Sequence, residues 1–285
     1  MDFILWWQTL PSKMDPILLS IGSFSIYWYS TMYLVAFGVV YLLCRKKINN
    51  NKFTKLTLSE FEDLLSWCFI ALILGARFGY VLFYNFEYYL ANPLEILLPF
   101  SIQEDGWKFT GIAGMSYHGG LIGVLIAMWM YGRKKGLHLY TIADFMTPAI
   151  PLGFFFGRIG NFINGELWGS QAHPEAFYAV WVNGVPRHAS QLYEACLEGL
   201  VLFLILWAYS RKVRPTMAVT GIFLFFYGTF RSVVEFVRLP DTHLNVAADG
   251  YLAFGWLTMG HVLSLPMILF GAFLFMSAYR HKRLA

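Results

Sequence analysis

The chain has 285 residues, 58% of them hydrophobic and 19% aromatic, against only 13% charged. Soluble domains carry nearer a quarter of charged residues, so the composition excludes an ordinary water-soluble protein and points to a polytopic membrane protein. The formal net charge of +4 is gathered in short turns between apolar segments, which explains the basic excess without a nucleic-acid-binding surface.

In chain order, apolar segments long enough to cross a bilayer, at about 20 residues each, are predicted near 21–43, 62–84, 116–132, 141–158, 190–209, 218–237 and 254–279. The third and fourth are short, and the fifth begins with Glu194 and Glu198. Lysine and arginine are retained on the cytoplasmic side. The turns after segments 1, 3, 5 and 7 hold 14 of the 21 basic residues, whereas the opposite side holds Lys13, Lys108, Arg187 and Arg238. The expected fold is therefore all-α and polytopic, with about seven transmembrane helices, the N-terminus outside and the C-terminus cytoplasmic. Residues 1–285 form a single integral membrane domain, and residues 159–189, with the stretch HPEAFYAVWVNGVPRH, form a small extracytoplasmic cap. The opening MDFILWWQTL lacks a basic start and a small-residue cleavage site, so segment 1 is expected to insert uncleaved.

Pro148 and Pro151 are expected to kink segment 4, and Pro266 segment 7. The pairs Gly75/Gly79, Gly119/Gly123 and Gly153/Gly157 have the spacing of close helix packing. Cys44, Cys68 and Cys196 stand singly in apolar surroundings, which argues against disulfides and against a cysteine metal site.

The polar residues within the spans gather at one depth. Tyr29 falls in the outer third of segment 1, Arg77 in the outer half of segment 2 and His118 at the outer start of segment 3. Arg158 ends segment 4 outside, and Arg231, Glu235 and Arg238 approach the outer end of segment 6. Charges at such depth face the bundle interior or a wet cavity and need partners. Arg231 and Glu235 share a helix face at i, i+4, and Arg158 and Asn161 share one at i, i+3 if the helix runs on. Taken alone, the Arg231/Glu235 pair also fits simple mutual neutralisation. Several arginines with few local acids read as a cationic cluster, which suits a phosphate because guanidinium offers a planar fork of donors. His118 fits a helix cap as well as a proton acceptor, and Tyr29 fits an interfacial aromatic belt as well as a site. Glu194 and Glu198 fit a pairing with Arg187 or the lining of a cavity. Arg77 fits either the site or its edge.

There is no HExxH, no Walker A loop and no GxSxG, so zinc or serine hydrolysis and ATP-driven transport have no support. A site for an anionic lipid, with no cofactor and no metal, remains.

The stretch GRIGNFINGELWG, residues 157–169, resembles the signature of the prolipoprotein diacylglyceryl transferase family. The resemblance extends in order through IYWYSTMYLV, LGARFGYVLFYN, MSYHGGLIGV, PRHASQLYE, FRSVVEFVRLPD and MGHVLSLPM, nearly the whole chain. It implies an enzyme of the bacterial cytoplasmic (inner) membrane, active toward the outer leaflet. Its implied partners are phosphatidylglycerol and prolipoprotein signal peptides with a lipobox cysteine. The diacylglyceryl group would move to the cysteine sulfur as a thioether, releasing glycerol phosphate. The family's functional positions fall on Tyr29, His118, Arg158, Asn161, Glu166, Gly169, Arg231 and Glu235. In the expected roles, Arg158 and Arg231 clamp the phosphate, Asn161 and Glu166 orient the headgroup glycerol, and Glu235 holds Arg231. Tyr29 positions the lipid, Gly169 permits a tight turn, and His118 is the first choice for proton acceptor, with Glu235 or Glu166 as rivals. Ala189 departs from the proline expected in some relatives. A secondary transporter would instead require internal repeats and a polar path to both faces, neither of which the sequence has. A lipid-binding protein without catalysis would have no need of His118 or Glu166.

Overall fold

The computed structural model describes residues 3–22, 24–50, 55–98, 100–103, 106–109, 114–239 and 251–284. The outer connection expected at 238–253 lies largely outside the described residues. The fold is mainly helical. In order, the helices are α1 (Phe3–Gln8), α2 (Trp28–Asn49), α3 (Leu58–Tyr84), α4 (Phe86–Ala91), α5 (Tyr117–Lys135) and α6 (Leu139–Met146). They continue as α7 (Ile150–Ile163), α8 (Ser190–Glu194), α9 (Leu202–Tyr209), α10 (Ala218–Glu235) and α11 (Met259–Leu284). A π-helical stretch, Ala195–Val201, joins α8 to α9 so that Ser190–Tyr209 run as one span. Three two-stranded antiparallel hairpins complete the described elements: β1 (Ile17–Ile21) with β2 (Phe24–Tyr27), β3 (Phe100–Gln103) with β4 (Gly106–Phe109), and β5 (Ala179–Val182) with β6 (Val185–His188).

Among the described residues, five helices are long and apolar enough to cross a membrane: Trp28–Asn49, Leu58–Tyr84, Ser190–Tyr209, Ala218–Glu235 and Met259–Arg280. The α6/α7 pair, bent by 55°, makes a sixth if counted as one broken span. The break falls between Met146 and Ile150, where Pro148 and Pro151 remove backbone donors, in keeping with the expected kink. The chain is thus a multi-pass membrane protein. α5 covers the third expected segment but is not among these spans, since His118 at its start and Arg133 and Lys134 at its end lower its hydropathy. The first expected segment is corrected at its start. Its first residues pair as the β1/β2 hairpin and the helix begins only at Trp28, because a run of aromatic and β-branched residues such as FSIY suits a strand as well as a span.

The chain divides into two compact units, one of residues 1–46 and 143–285, the other of residues 47–142. In the second unit, α3 opens on a capping box. Thr57 Oγ1 receives the Glu60 N–H at 3.2 Å, and Glu60 Oε2 receives the Thr57 N–H at 2.9 Å. α3 and α5 then pack backbone to backbone through the predicted glycines, with no room for a side chain on Gly75, Gly79, Gly119 or Gly123. Arg77, whose place the sequence leaves open, is buried here as a brace. Its Nε donates to Ile96 O at 2.6 Å, its Nη2 to Glu95 O at 2.6 Å and its Nη1 to Gly114 O at 3.3 Å.

In the first unit, α10 and α11 pack closely through Gly221, Gly228 and Gly271. The start of α10 has no side-chain cap of its own, and Asp144 supplies one from α6. Asp144 Oδ2 accepts the Met217 N–H at 2.7 Å, and Oδ1 accepts the Thr220 N–H at 2.7 Å and the Thr220 hydroxyl at 2.6 Å. Asp144→Ala strands these donors at a positive helix end, so it is expected to cost about 2 kcal/mol. The check is the thermal midpoint of the purified protein in detergent, with Asp144→Asn expected to recover part of the loss because its carbonyl still accepts.

Candidate active site

The site begins where α7 continues past Arg158 to Ile163. That extra turn makes Arg158 and Asn161 neighbours, and Arg158 Nη1 donates to Asn161 Oδ1 at 3.4 Å. Two glycines permit the close approaches that assemble it. A side chain on Gly160 would press on Met32 and Tyr29 of α2, and one on Gly199 of the π-helical stretch would strike the backbone of Phe155. Tyr29 therefore lies beside Asn161 and donates its hydroxyl hydrogen to Tyr33 at 3.2 Å.

After α7 the chain turns through Gly165 (φ 72°) and Leu167 (φ 61°), the latter strained for a side chain larger than glycine. The loop is held because its carbonyls are gripped one by one. Trp168 Nε1 donates to Gly165 O at 2.8 Å, Gln191 Nε2 to Glu166 O, Ser190 Oγ to Leu167 O at 2.9 Å and Arg187 Nη1 to Gly169 O at 3.1 Å. Glu166 is thereby fixed so that its Oε1 accepts from Asn161 Nδ2 at 2.7 Å. Gly169 does not serve the expected tight turn, since its backbone is not left-handed. It is a point of close approach, where an added side chain would meet Val237 O and His188, and it forms a bridge with Arg238. The hairpin beneath turns at Asn183 and Gly184, both at positive φ, as an Asn-Gly two-residue loop requires. Burial pushes the His188 imidazole below its ordinary pKa, and the ring stacks on Tyr178 at 5.1 Å.

At the centre stands Glu194, which the sequence offers as a partner for Arg187 or a cavity residue. Arg187 is engaged with Gly169, and Glu194 instead meets three other arginines. Its Oε2 lies 2.6 Å from Arg158 Nε, and its Oε1 lies 2.9 Å from Arg231 Nη1 and 3.5 Å from Arg238 Nη1. Arg231 Nη2 is paired with Glu235 Oε2 at 2.8 Å across the predicted i, i+4 spacing, and Glu198 lies 4.0 Å from Arg231 Nη1. Glu194, Glu198 and Glu235 are all buried.

The cluster is consequently not cationic. Arg158, Arg231 and Arg238 stand against Glu194, Glu198 and Glu235, three against three, with Glu166 linked through Asn161. Charges inside a membrane protein persist only when matched in this way. The structure thus joins Tyr29, Arg158, Asn161, Glu166, Arg231 and Glu235 through one chain of contacts, braced by Gly169. His118 belongs to the other unit, where it is exposed at the second position of α5 with its ring edge-on to Tyr117. Glu194, Glu198 and Arg238 join the cluster beyond the positions that the family resemblance marks. The sequence signal that points to the first two is a pair of acids at i, i+4 within an otherwise apolar span.

Ion pairs buried this way among apolar helices mark a multi-pass membrane protein whose polar site lies inside the helical bundle. A family model described as prolipoprotein diacylglyceryl transferase matches residues 16–277. The chain is 48% identical over 269 residues to a protein of Methylococcus capsulatus, covering 94% of this chain and 97% of the other. It is 47% identical over 270 residues to one of Pseudomonas aeruginosa, covering 94% and 95%. It is 48% identical over 275 residues to one of Pseudomonas fluorescens, covering 95% and 96%. All three relatives carry the name phosphatidylglycerol–prolipoprotein diacylglyceryl transferase. The chain belongs to the prolipoprotein diacylglyceryl transferase family, and it is a transferase of lipoprotein biosynthesis.

Proposed function

We propose that this protein transfers the diacylglyceryl group of phosphatidylglycerol to the lipobox cysteine of prolipoproteins, forming a thioether and releasing glycerol phosphate. The names of the relatives support the two substrates. The observation that carries the reading is the convergence of Arg158 and Arg231 on Glu194 among membrane helices, with Asn161 and Glu166 alongside. In this reading the chain works as one integral membrane domain of seven spans, α5 included, with its N-terminus outside and residues 159–189 as the outer cap. It resides in the bacterial inner membrane and acts at the outer leaflet.

The chemistry follows from charge. Thiolate sulfur attacks the glycerol carbon next to the phosphate and the C–O bond breaks. A diester bearing about one negative charge leaves as a monoester approaching two. Arg158 and Arg231 interact more strongly with the second charge than with the first, and such a difference is what lowers a barrier. To engage the phosphate they exchange part of their contact with Glu194 for contact with the lipid. Asn161, in the last turn of α7, and Glu166, in the gripped loop, hold the headgroup glycerol, and Tyr29 positions the lipid against α7. Thiolate is the reacting form, so a base must take the thiol proton. His118 fills that role, with Glu235 and Glu166 as the competing acceptors.

The test is a reaction of the purified protein in detergent with phosphatidylglycerol and a synthetic lipobox peptide, following glycerol phosphate release and peptide mass. Release is expected to depend on the peptide, to stop when serine replaces its cysteine and to fall at least a hundredfold in Arg158→Ala, on the order of 3 kcal/mol of lost transition-state stabilisation. His118→Gln run beside it reports on the base. A folded wild type that binds the lipid but releases nothing would favour a binding or transport role instead.

A further inference from the structure

Glu235 has two carboxylate oxygens and only one of them faces the arginines. Oε2 meets Arg231 Nη2 at 2.8 Å and Arg238 Nε at 3.8 Å. Oε1 turns the other way and accepts the hydroxyl of Thr258 at 2.8 Å, in a contact that is buried. Thr258 lies at the entry to α11, just after a tight turn through Phe254 (φ 57°) and Gly255 (φ 67°) that closes with the Leu252 N–H on Leu257 O at 2.7 Å. It is held in turn by His261. The Thr258 N–H donates to His261 Nδ1 at 3.3 Å, and the hydroxyl oxygen lies 3.1 Å from the same nitrogen. The His261 ring is itself buried between Phe236 and Trp256, with centroids at 4.8 and 5.6 Å. Gly260 completes the seat, because a side chain there would overlap the Glu235 carboxyl group.

The order of dependence is readable from proton supply. Thr258 has one hydroxyl hydrogen, and Glu235 receives it. The imidazole nitrogen that takes the Thr258 N–H fixes the main chain from which that hydroxyl projects. Breaking this link would let the Glu235 carboxylate rotate, and Arg231 would then lose the partner that sets its guanidinium plane opposite Glu194. A purely structural cap for α11 would not need its hydroxyl aimed at a carboxylate on another helix.

We infer that Thr258 and His261 are positioning residues of the transferase site, holding Glu235 and through it the phosphate-binding face of Arg231. This inference rests on the proposed role of Arg231 in binding the lipid phosphate. Neither residue touches substrate in this scheme. Their effect is on how well Arg231 is aimed.

The experiment uses the purified full-length enzyme with phosphatidylglycerol and lipobox peptide, comparing Thr258→Val with Thr258→Ser and His261→Leu with His261→Asn. Valine has the shape of threonine without the hydroxyl, and asparagine can carry an acceptor where Nδ1 stands. Thr258→Val and His261→Leu are expected to lower kcat/KM for phosphatidylglycerol about tenfold or more, the scale of one hydrogen bond to a charged group. Thr258→Ser and His261→Asn should remain within about threefold of wild type, less than the value of such a bond, with thermal midpoints alike across Thr258→Val and Thr258→Ser. Arg231→Ala is measured alongside. If it leaves the lipid kinetics unchanged, the phosphate-binding reading fails, whatever the other variants do. If Arg231→Ala is impaired while Thr258→Val matches wild type, the inference is overturned. It is also overturned if valine and serine at 258 are equally slow and equally destabilised, because the role would then be structural only.

Discussion

Glu194→Gln is expected to lower the turnover of phosphatidylglycerol by about a hundredfold or more, the rate equivalent of roughly 3 kcal/mol, without raising KM. Glutamine keeps the size of the side chain and removes its charge. In the native cluster Glu194 touches Arg158, Arg231 and Arg238 at 2.6, 2.9 and 3.5 Å, so one carboxylate sets the spacing of three guanidinium groups. Taking that charge away leaves three guanidinium groups facing only two carboxylates at ion-pair distance, Glu198 and Glu235. Ground-state lipid, itself an anion, is then bound at least as well. What suffers is geometry, since repelling guanidinium groups with no common anchor no longer converge on the oxygens where charge develops. Breaking a buried ion pair from one side costs on the order of 3–5 kcal/mol. Part of that cost falls on stability and the rest on the transition state. Initial rates of glycerol phosphate release at varied lipid separate the two parameters. A raised KM with unchanged kcat would mean that Glu194 serves ground-state binding alone, and wild-type rates would reduce it to a neutralising counter-ion.

The part of this network that the sequence discloses is the part built from local spacing. Arg231 with Glu235 and Arg158 with Asn161 sit one helical turn apart, so residue spacing alone makes them neighbours once the helices are in place. Glu194 is different. Its partners lie 36, 37 and 44 positions away along the chain, and nothing in RHASQLYE distinguishes a partner on α7 or α10 from the nearby Arg187. Neighbourhood in sequence therefore reads as a cationic cluster, whereas the folded chain sets Arg158, Arg231 and Arg238 against Glu194, Glu198 and Glu235. Gly169 shows a second limit. Glycine in a loop suggests a turn, but here the requirement comes from Val237 and His188, which approach from distant segments. The spans were legible because lipid imposes length and hydropathy, whereas the β1/β2 hairpin was not, since its residues satisfy a strand and a span equally well. The α3/α5 contact lies between these cases, because small residues at i, i+4 state that something packs closely without saying what.

That contact leaves no space for a side chain at Gly119. Gly119→Val should cost roughly 3 kcal/mol or more and leave little active protein, because what it strikes cannot move aside. A carbon added at Gly119 would meet the carbonyl oxygen of Gly75 and, at 2.8 Å, the Cα of Gly79, both backbone atoms of α3. Flexible side chains can yield to an added methyl group, but two helix backbones in contact yield only by separating. Separation forfeits the dispersion contacts along the rest of the seam, which in lipid are the main attraction between helices. It also shifts the start of α5, where the Ser116 side chain caps the Gly119 N–H at 3.3 Å and His118 is displayed. Gly38→Ala is the matched control. It too places a carbon on a helical glycine, yet nothing lies within 4 Å of that carbon, so stability should be unchanged or slightly raised by the better helix former. Thermal midpoints of the two variants in one detergent, with size-exclusion profiles, make the comparison. Equal stability of Gly119→Val and wild type would show that α3 and α5 are not in backbone contact and would remove the physical reason for glycine at 75, 79, 119 and 123.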